Sequence, residues 1–164
     1  GVLGALLLNY VRLEPGEGIY LDAGNLHAYC RGLGVEVMAN SDNVLRGGLT
    51  AKHVDVPELA RVLRFTSLVN PRTSNDAGWF EVPVEEFDMR MVTATEESPW
   101  SAQIPGPRVV LCTAGHVTVT VGPATQVLHP TEAVWISAAE EPLVQVTGAG
   151  QAFVVGVGAR LSTP

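Results

Sequence analysis

Residues 13–52 read LEPGEGIYLDAGNLHAYCRGLGVEVMANSDNVLRGGLTAK, with glycines and polar side chains set inside otherwise strand-like sequence. Within it, the run 16–27 (GEGIYLDAGNLH) predicts an alternating strand, a tight Gly-Asn turn and a histidine, His27, at the start of the next strand. That layout puts an imidazole at the mouth of a β-barrel. Immediately upstream, Glu14-Pro15-Gly16-Glu17 has turn chemistry, and residues 5–13 (ALLLNYVRL) predict a strand buried on both faces at its start. Downstream, residues 26–30 predict a strand and Arg31-Gly32-Leu33-Gly34 a turn. The run VEVMAN then places Val35 and Val37 on one side and Glu36 and Met38 on the other.

Beyond Ser41-Asp42-Asn43, a turn cluster, Arg46-Gly47-Gly48 forms an open bend with little side chain to obstruct a ligand. Asp55-Val56-Pro57-Glu58 reads as a helix start, with Asp55 as N-cap and an apolar stripe of Leu59, Val62 and Leu63 running to about Phe65. Residues 70–78 (NPRTSNDAG) are the longest polar stretch and predict a linker. Strands are expected again at 79–82, 87–93, 108–113, 117–121, 125–128, 133–137, 143–147 and 151–157, with residues 96–107 as a loop containing three prolines.

A shift of 115 residues aligns LEPGEGIYL (13–21) with LHPTEAVWI (128–136), keeping Leu, Pro and Glu and replacing Tyr20 by Trp135. The same shift carries His27 onto Pro142, so the second copy has no histidine there. The expected organisation is therefore a first unit at 1–69 with the functional residues and the helix, a linker at 70–78, and a degenerate second β unit at 79–164.

With 164 residues, 46% of them apolar, the chain can bury an ordinary core, and 17 glycines, 11 prolines and a single helical pattern favour an all-β fold. A net charge of −7 with no basic run argues against a partner whose phosphates must be neutralised, so nucleic acid is not expected. A small anion could still be held by a local pair of cations such as Arg46 and Lys52. Cys30 and Cys112 make neither a disulfide framework nor a C-x-x-C metal motif, and read as two small core thiols. The opening GVLGALLL is too short to span a bilayer and lacks a basic flank, so no membrane partner is expected and the cytoplasm is the default location. The chain starts without methionine inside an apolar run, which reads as a piece of a longer protein.

The spacing G-x5-P-x-G-x2-H of the second cupin signature is present from Gly16 to His27, with Asp22 in place of the proline. The longer strings LEPGEGIYLDAGNLHAY and NSDNVLRGGLTAKHVDVPEL resemble the C-terminal catalytic portion of the type I phosphomannose isomerases. VPVEEFDMRMV and VLCTAGHVTVTV look like that family's closing strands. The resemblance implies an all-β fold of cupin-type jelly-roll or β-sandwich units with one connecting α-helix. It also implies interconversion of mannose 6-phosphate and fructose 6-phosphate, with zinc as cofactor and a sugar phosphate as substrate. His27 would be one of four zinc ligands, the other three coming from an N-terminal portion that this sequence lacks. Arg46 matches the catalytic arginine and Lys52, the chain's single lysine, the phosphate-binding lysine. Glu36, Asp42 and Tyr29 fall in the active-site lining, with the proton-transfer base left open between the carboxylates.

Taken without the resemblance, each residue has a plainer reading. Lone histidines are usually hydrogen-bonded structural groups, most arginines are surface cations, and Glu36 or Asp42 could simply pair with Arg46. His53, His116 and His129 read as structural or incidental. Two alternatives to the split-site isomerase follow: a sugar- or metabolite-binding module without chemistry, and a metal site built wholly within the chain from His27, Glu36 and His53.

Overall fold

A computed structural model describes residues 6–40, 44–48, 50–73 and 75–158. The described elements are β1 (Gly18–Ile19), α1 (Val56–Val62), β2 (Arg72–Thr73), β3 (Asn75–Asp76), β4 (Trp79–Phe80), β5 (Asp88–Ala94), β6 (Trp100–Gln103), β7 (Arg108–Val121), β8 (Ala124–Leu128), β9 (Ala133–Ile136) and β10 (Leu143–Gly156). Among the described residues the fold is all-β, its strand pairs antiparallel, with one helix. It divides into two compact units: the first comprises Gly1–Gly34 and Asn40–Thr73, the second Val35–Ala39 and Ser74–Pro164. One boundary falls inside the 70–78 stretch, which carries β2 and β3, whereas Val35–Ala39, with Glu36, groups with the second unit and not with the expected 1–69 unit.

The second unit is built on two 14-residue strands, β7 and β10, paired along their length. Each serves two further neighbours in succession. β10 pairs with β6 through Leu143–Val146 and with β5 through Gly150–Gly156. β7 pairs with β9 through Arg108–Leu111 and with β8 through Val117–Val121. Glycines read as strand breaks in the sequence sit at mid-strand, and the register shifts between Gln151 and Ala152. A Cβ on Gly115 would collide with the Ala149 carbonyl, and one on Gly150 with the Ala114 carbonyl. The glycines thus let two bent backbones cross closely without ending either strand. Strand alternation sends Val110, Cys112, Val117, Val119, Val144, Val146, Ala152 and Val154 into one core, with Val92, Ala94, Leu128 and Ile136. β6 falls in the expected proline-rich loop. It forms because Trp100 and Ala102 pack on that core next to fully buried Ile104.

Buried among these apolar residues is Arg108, only 1% exposed. Its guanidinium donates to the carbonyls of Gly106, Ser137 and Glu141. Three loop carbonyls at one end of the sheet are satisfied by one side chain, which ties those loops together.

In the first unit β1 pairs with β2, Gly18 against Thr73 and Ile19 against Arg72. The repeat detected in the sequence recurs in the backbone. Glu14 N–H donates to the Glu17 carboxylate at 2.8 Å and Glu17 N–H to the Glu14 carbonyl at 3.0 Å. His129 N–H donates to the Glu132 carboxylate at 2.8 Å and Glu132 N–H to the His129 carbonyl at 2.9 Å. Even the left-handed backbone is kept, with φ of 87° at Gly16 and 75° at Thr131. Each turn leads into a strand, β1 or β9.

Several expected strands did not form. Described residues of 5–13, and all of 26–30 and 35–40, lack regular structure; residues 1–5 lie outside the described set. Alternation supplies a face but not a hydrogen-bonding neighbour, and a strand needs both. Helix α1 starts as expected, the Asp55 carboxylate accepting from Glu58 N–H at 3.0 Å, but ends at Val62. Of the two cysteines expected in the core, Cys112 is buried whereas Cys30 is exposed. Among the described residues no helix is long and apolar enough to cross a membrane.

Candidate active site

His27 follows a turn whose shape is fixed from several sides. Asn25 Nδ2 donates to the Asp22 carbonyl at 2.8 Å, and Ala23 N–H to the Asp22 carboxylate at 2.9 Å. Gly24 has φ of 86°, and a Cβ there would crowd the Val62 carbonyl and the Arg64 side chain. Arg64 N–H donates to the Gly24 carbonyl at 2.9 Å, and Arg64 Nη1 reaches the Asp22 carboxylate at 2.5 Å. The segment leaving α1 therefore clamps the turn that presents His27. Where the cupin signature has proline, whose ring would set the turn, Asp22 does so by hydrogen bonds. The Arg64 hydrogen bond, the Ala23 N–H and the guanidinium charge hold the Asp22 carboxyl below its usual range.

His27 is exposed, with Nδ1 3.2 Å from the Asn25 carbonyl. A proton on Nδ1, donated there, leaves the Nε2 lone pair as the metal-binding one. Tyr29 meets the imidazole edge-on, the ring centroids 6.0 Å apart at 79°. The two side chains two residues apart thus share a side even though no strand forms.

Arg46 lies in the open bend before Gly47 and Gly48 and is exposed. A Cβ on Gly47 would run into the Leu26 Cδ1 atom, so Leu26 seats directly on the backbone beside Arg46. Leu26 precedes His27, and this contact draws the histidine turn and the arginine bend together within the first unit. Lys52 is also exposed, its N–H donating to Thr50 Oγ1 at 3.1 Å. Glu36 is exposed between partly buried Val35 and Val37, as the alternation implied. Asp42 lies outside the described residues. Among the described residues no three His, Cys, Asp or Glu side chains gather as a metal site. Sequence reasoning passed over the positioning groups Asp22, Arg64, Leu26 and Gly47. The one available signal was the departure at Asp22 from the signature's proline.

No protein-family model matches the chain. It is 37% identical over 157 residues to mannose-6-phosphate isomerase of Escherichia coli strain K12, across 92% of this chain and 40% of that protein. To the probable mannose-6-phosphate isomerase of Caenorhabditis elegans it is 35% identical, across 93% of this chain and 39% of the relative. Among solved structures it resembles mannose 6-phosphate isomerase of Salmonella typhimurium bound to its substrate fructose 6-phosphate and to zinc. The TM-score there is 0.61 at 29% identity, over 74% of this chain and 32% of that one. The chain spans about two fifths of the length of the curated relatives it matches. It is a homologue of the C-terminal portion of the mannose-6-phosphate isomerases.

Proposed function

We propose that the protein to which this chain contributes interconverts mannose 6-phosphate and fructose 6-phosphate in the cytoplasm, supplying mannose for GDP-mannose synthesis or drawing it into glycolysis. The observation that carries this reading is the seating of Leu26 on Gly47, which sets the turn bearing His27 against the bend bearing Arg46. The zinc and fructose 6-phosphate held by the Salmonella relative supply the chemistry that fits such a pair.

The donor set fits zinc in part. A neutral imidazole with Nδ1 on a carbonyl is a suitable ligand, and the remaining ligands would come from the portion of the relatives outside the matched two fifths. Bound zinc would supply a Lewis acid that polarises a substrate oxygen. The exposed guanidinium of Arg46 stabilises negative charge developing on the cis-enediol oxygens as the proton α to the carbonyl is removed. Glu36 or Asp42 carries that proton between neighbouring carbons. Lys52 holds the phosphate as a point charge, and Tyr29, packed on the imidazole, lines the substrate side. The β sheet formed by residues 75–156, with Pro142 in place of the histidine and Arg108 bonded to the adjacent Glu141 carbonyl, is structural with respect to this reaction.

The test is His27→Ala in the full-length protein. Zinc content measured by elemental analysis is expected to fall, and isomerase activity to vanish, with the far-UV spectrum unchanged. Unaltered zinc stoichiometry overturns the ligand assignment.

A further inference from the structure

The inner face of the second unit carries two arginines that differ in exposure and in the number of carbonyls they bond. Arg108 is sealed, its terminal nitrogens bonded to three carbonyls and its Nε, like that of Arg90, buried without a partner. Arg90, on β5, is partly exposed and makes a single hydrogen bond among the described residues, from Nη2 to the Ala77 carbonyl at 3.0 Å. Its Nε is buried with no partner. The guanidinium carbon lies 4.9 Å from the Trp79 ring centroid and 5.3 Å from that of Trp100. Trp79 is Arg90's direct partner across β4 and β5, while Trp100 comes from β6. The guanidinium thus makes cation–π contact with two indoles, an arrangement that leaves its N–H groups able to donate.

This arrangement is built, not incidental. Ala77 and Gly78 both have positive φ, 47° and 90°, and make the two-residue turn joining β3 to β4. Asn75 Oδ1 accepts from Gly78 N–H at 2.9 Å, and Met91 N–H donates to the Gly78 carbonyl at 2.8 Å. A Cβ on Gly78 would collide with the Met91 carbonyl, so the turn lies flat on β5. Its carbonyl then fixes one corner of the guanidinium. Asp88 shares that face of β5 two residues earlier, but no ion pair joins it to Arg90 among the described residues. Burial pushes the Asp88 carboxyl up, opposed by a hydrogen bond from Met89 N–H and by the Arg90 charge.

A partly desolvated cation that has donors to spare and makes no direct ion pair with the nearby Asp88 favours an oxyanion over water, because charge-assisted paired hydrogen bonds strengthen as the surroundings lose solvent. We propose that Arg90, held between Trp79 and Trp100, anchors a second ligand site on this unit, which takes a small molecule bearing a carboxylate or phosphate group. Its residues all belong to the second unit.

The two indoles provide the readout. In the 164-residue chain carrying Trp135→Phe, which removes the exposed third indole, tryptophan emission is followed during separate titrations with inorganic phosphate and with succinate at matched ionic strength. A saturable change with either anion is expected, and which one produces it identifies the chemistry accepted. Arg90→Met should abolish the response, and Arg90→Lys, which keeps charge without the planar fork, should weaken it about tenfold. Absence of a saturable change with both anions overturns the site. So does a response that persists unaltered in both Arg90 variants; melting curves identify which variants remain folded, and the parent titration stands whether or not they do.

Discussion

Arg46 and Lys52 are both exposed cations of the first unit, and they differ in what they can donate. The planar fork of Arg46 can follow charge spread over two neighbouring oxygens, whereas the Lys52 ammonium serves a phosphate that is equally charged before and during reaction. In the full-length protein, Arg46→Lys should therefore lower kcat by about 100-fold, as for an interaction made mainly in the transition state. Lys52→Ala should instead raise KM with little change in kcat, since uniform binding is what it removes. Steady-state kinetics with fructose 6-phosphate separate the two, and an effect of Arg46→Lys confined to KM would reassign it to phosphate binding. A third substitution tests placement. Gly47→Ala sets a methyl where Leu26 Cδ1 lies, and a flexible side chain can yield, so stability should change by less than about 1 kcal/mol. Displacing the His27 turn even slightly should nonetheless cost roughly 10-fold or more in kcat/KM, because reaction rate is steeply sensitive to alignment. Equal kcat/KM in the variant and parent would show that the Leu26 contact does not align the site.

At the scale of elements, the turn at 22–25 and the helix α1 act together, because the residues leaving α1 hold the turn. Asp22 has its pKa lowered in the folded chain, by Arg64 first, so its stabilising contribution is present above the unfolded carboxylate value of about 3.9 and is lost as pH falls through the lower folded value. The Arg64 amide, which donates to Gly24, should accordingly stay protected near neutrality and exchange faster only under acid, once intrinsic rates are corrected. In Asp22→Asn that acid step should disappear, and its persistence would place the clamp elsewhere. The legibility of these elements follows from how local their causes are. The Asp55 cap and the Glu14-Pro15-Gly16-Glu17 turn were readable because side chain and backbone partner lie three residues apart. The Asp22–Arg64 clamp spans 42 residues, and nothing local to either announces it. The strands expected at 26–30 and 35–40 had the right alternation but no partner strand, a property that no single segment contains. β7 and β10 erred the other way, because Gly115 and Gly148 look like breaks until the crossing backbone is seen.

At the scale of the whole molecule, burial is distributed very unevenly. No described residue up to Thr73 is buried, while the second unit holds a continuous core from Val92 to Val154. Leu6, Leu7, Tyr10, Leu33, Phe65 and Val69 are each more than 70% exposed, an amount of apolar surface that soluble monomers rarely leave open. Folding entropy of order 1–2 kcal/mol per residue has to be offset by burial, and the first unit buries too little to offset it alone. Its sequence is as apolar as an ordinary domain's, so these side chains leave apolar surface that the unit does not cover by itself. The consequence for the metal follows directly: with His27 as the one zinc ligand assigned, and no cluster of three ligating side chains among the described residues, the chain by itself should bind zinc weakly and show no isomerase activity. Hydrogen exchange on the 164-residue chain should then find β5, β7 and β10 protected to the limit of global unfolding, and residues 6–40 exchanging within seconds, in the manner of a low-stability segment. Adding zinc at ten times the protein concentration should leave that pattern unchanged. In the full-length protein the same residues should become protected, and zinc removal should selectively expose 22–29 around His27. Stoichiometric tight zinc and turnover of mannose 6-phosphate by the isolated chain, with protection of 6–40, would mean that the first unit completes both its core and its metal site unaided.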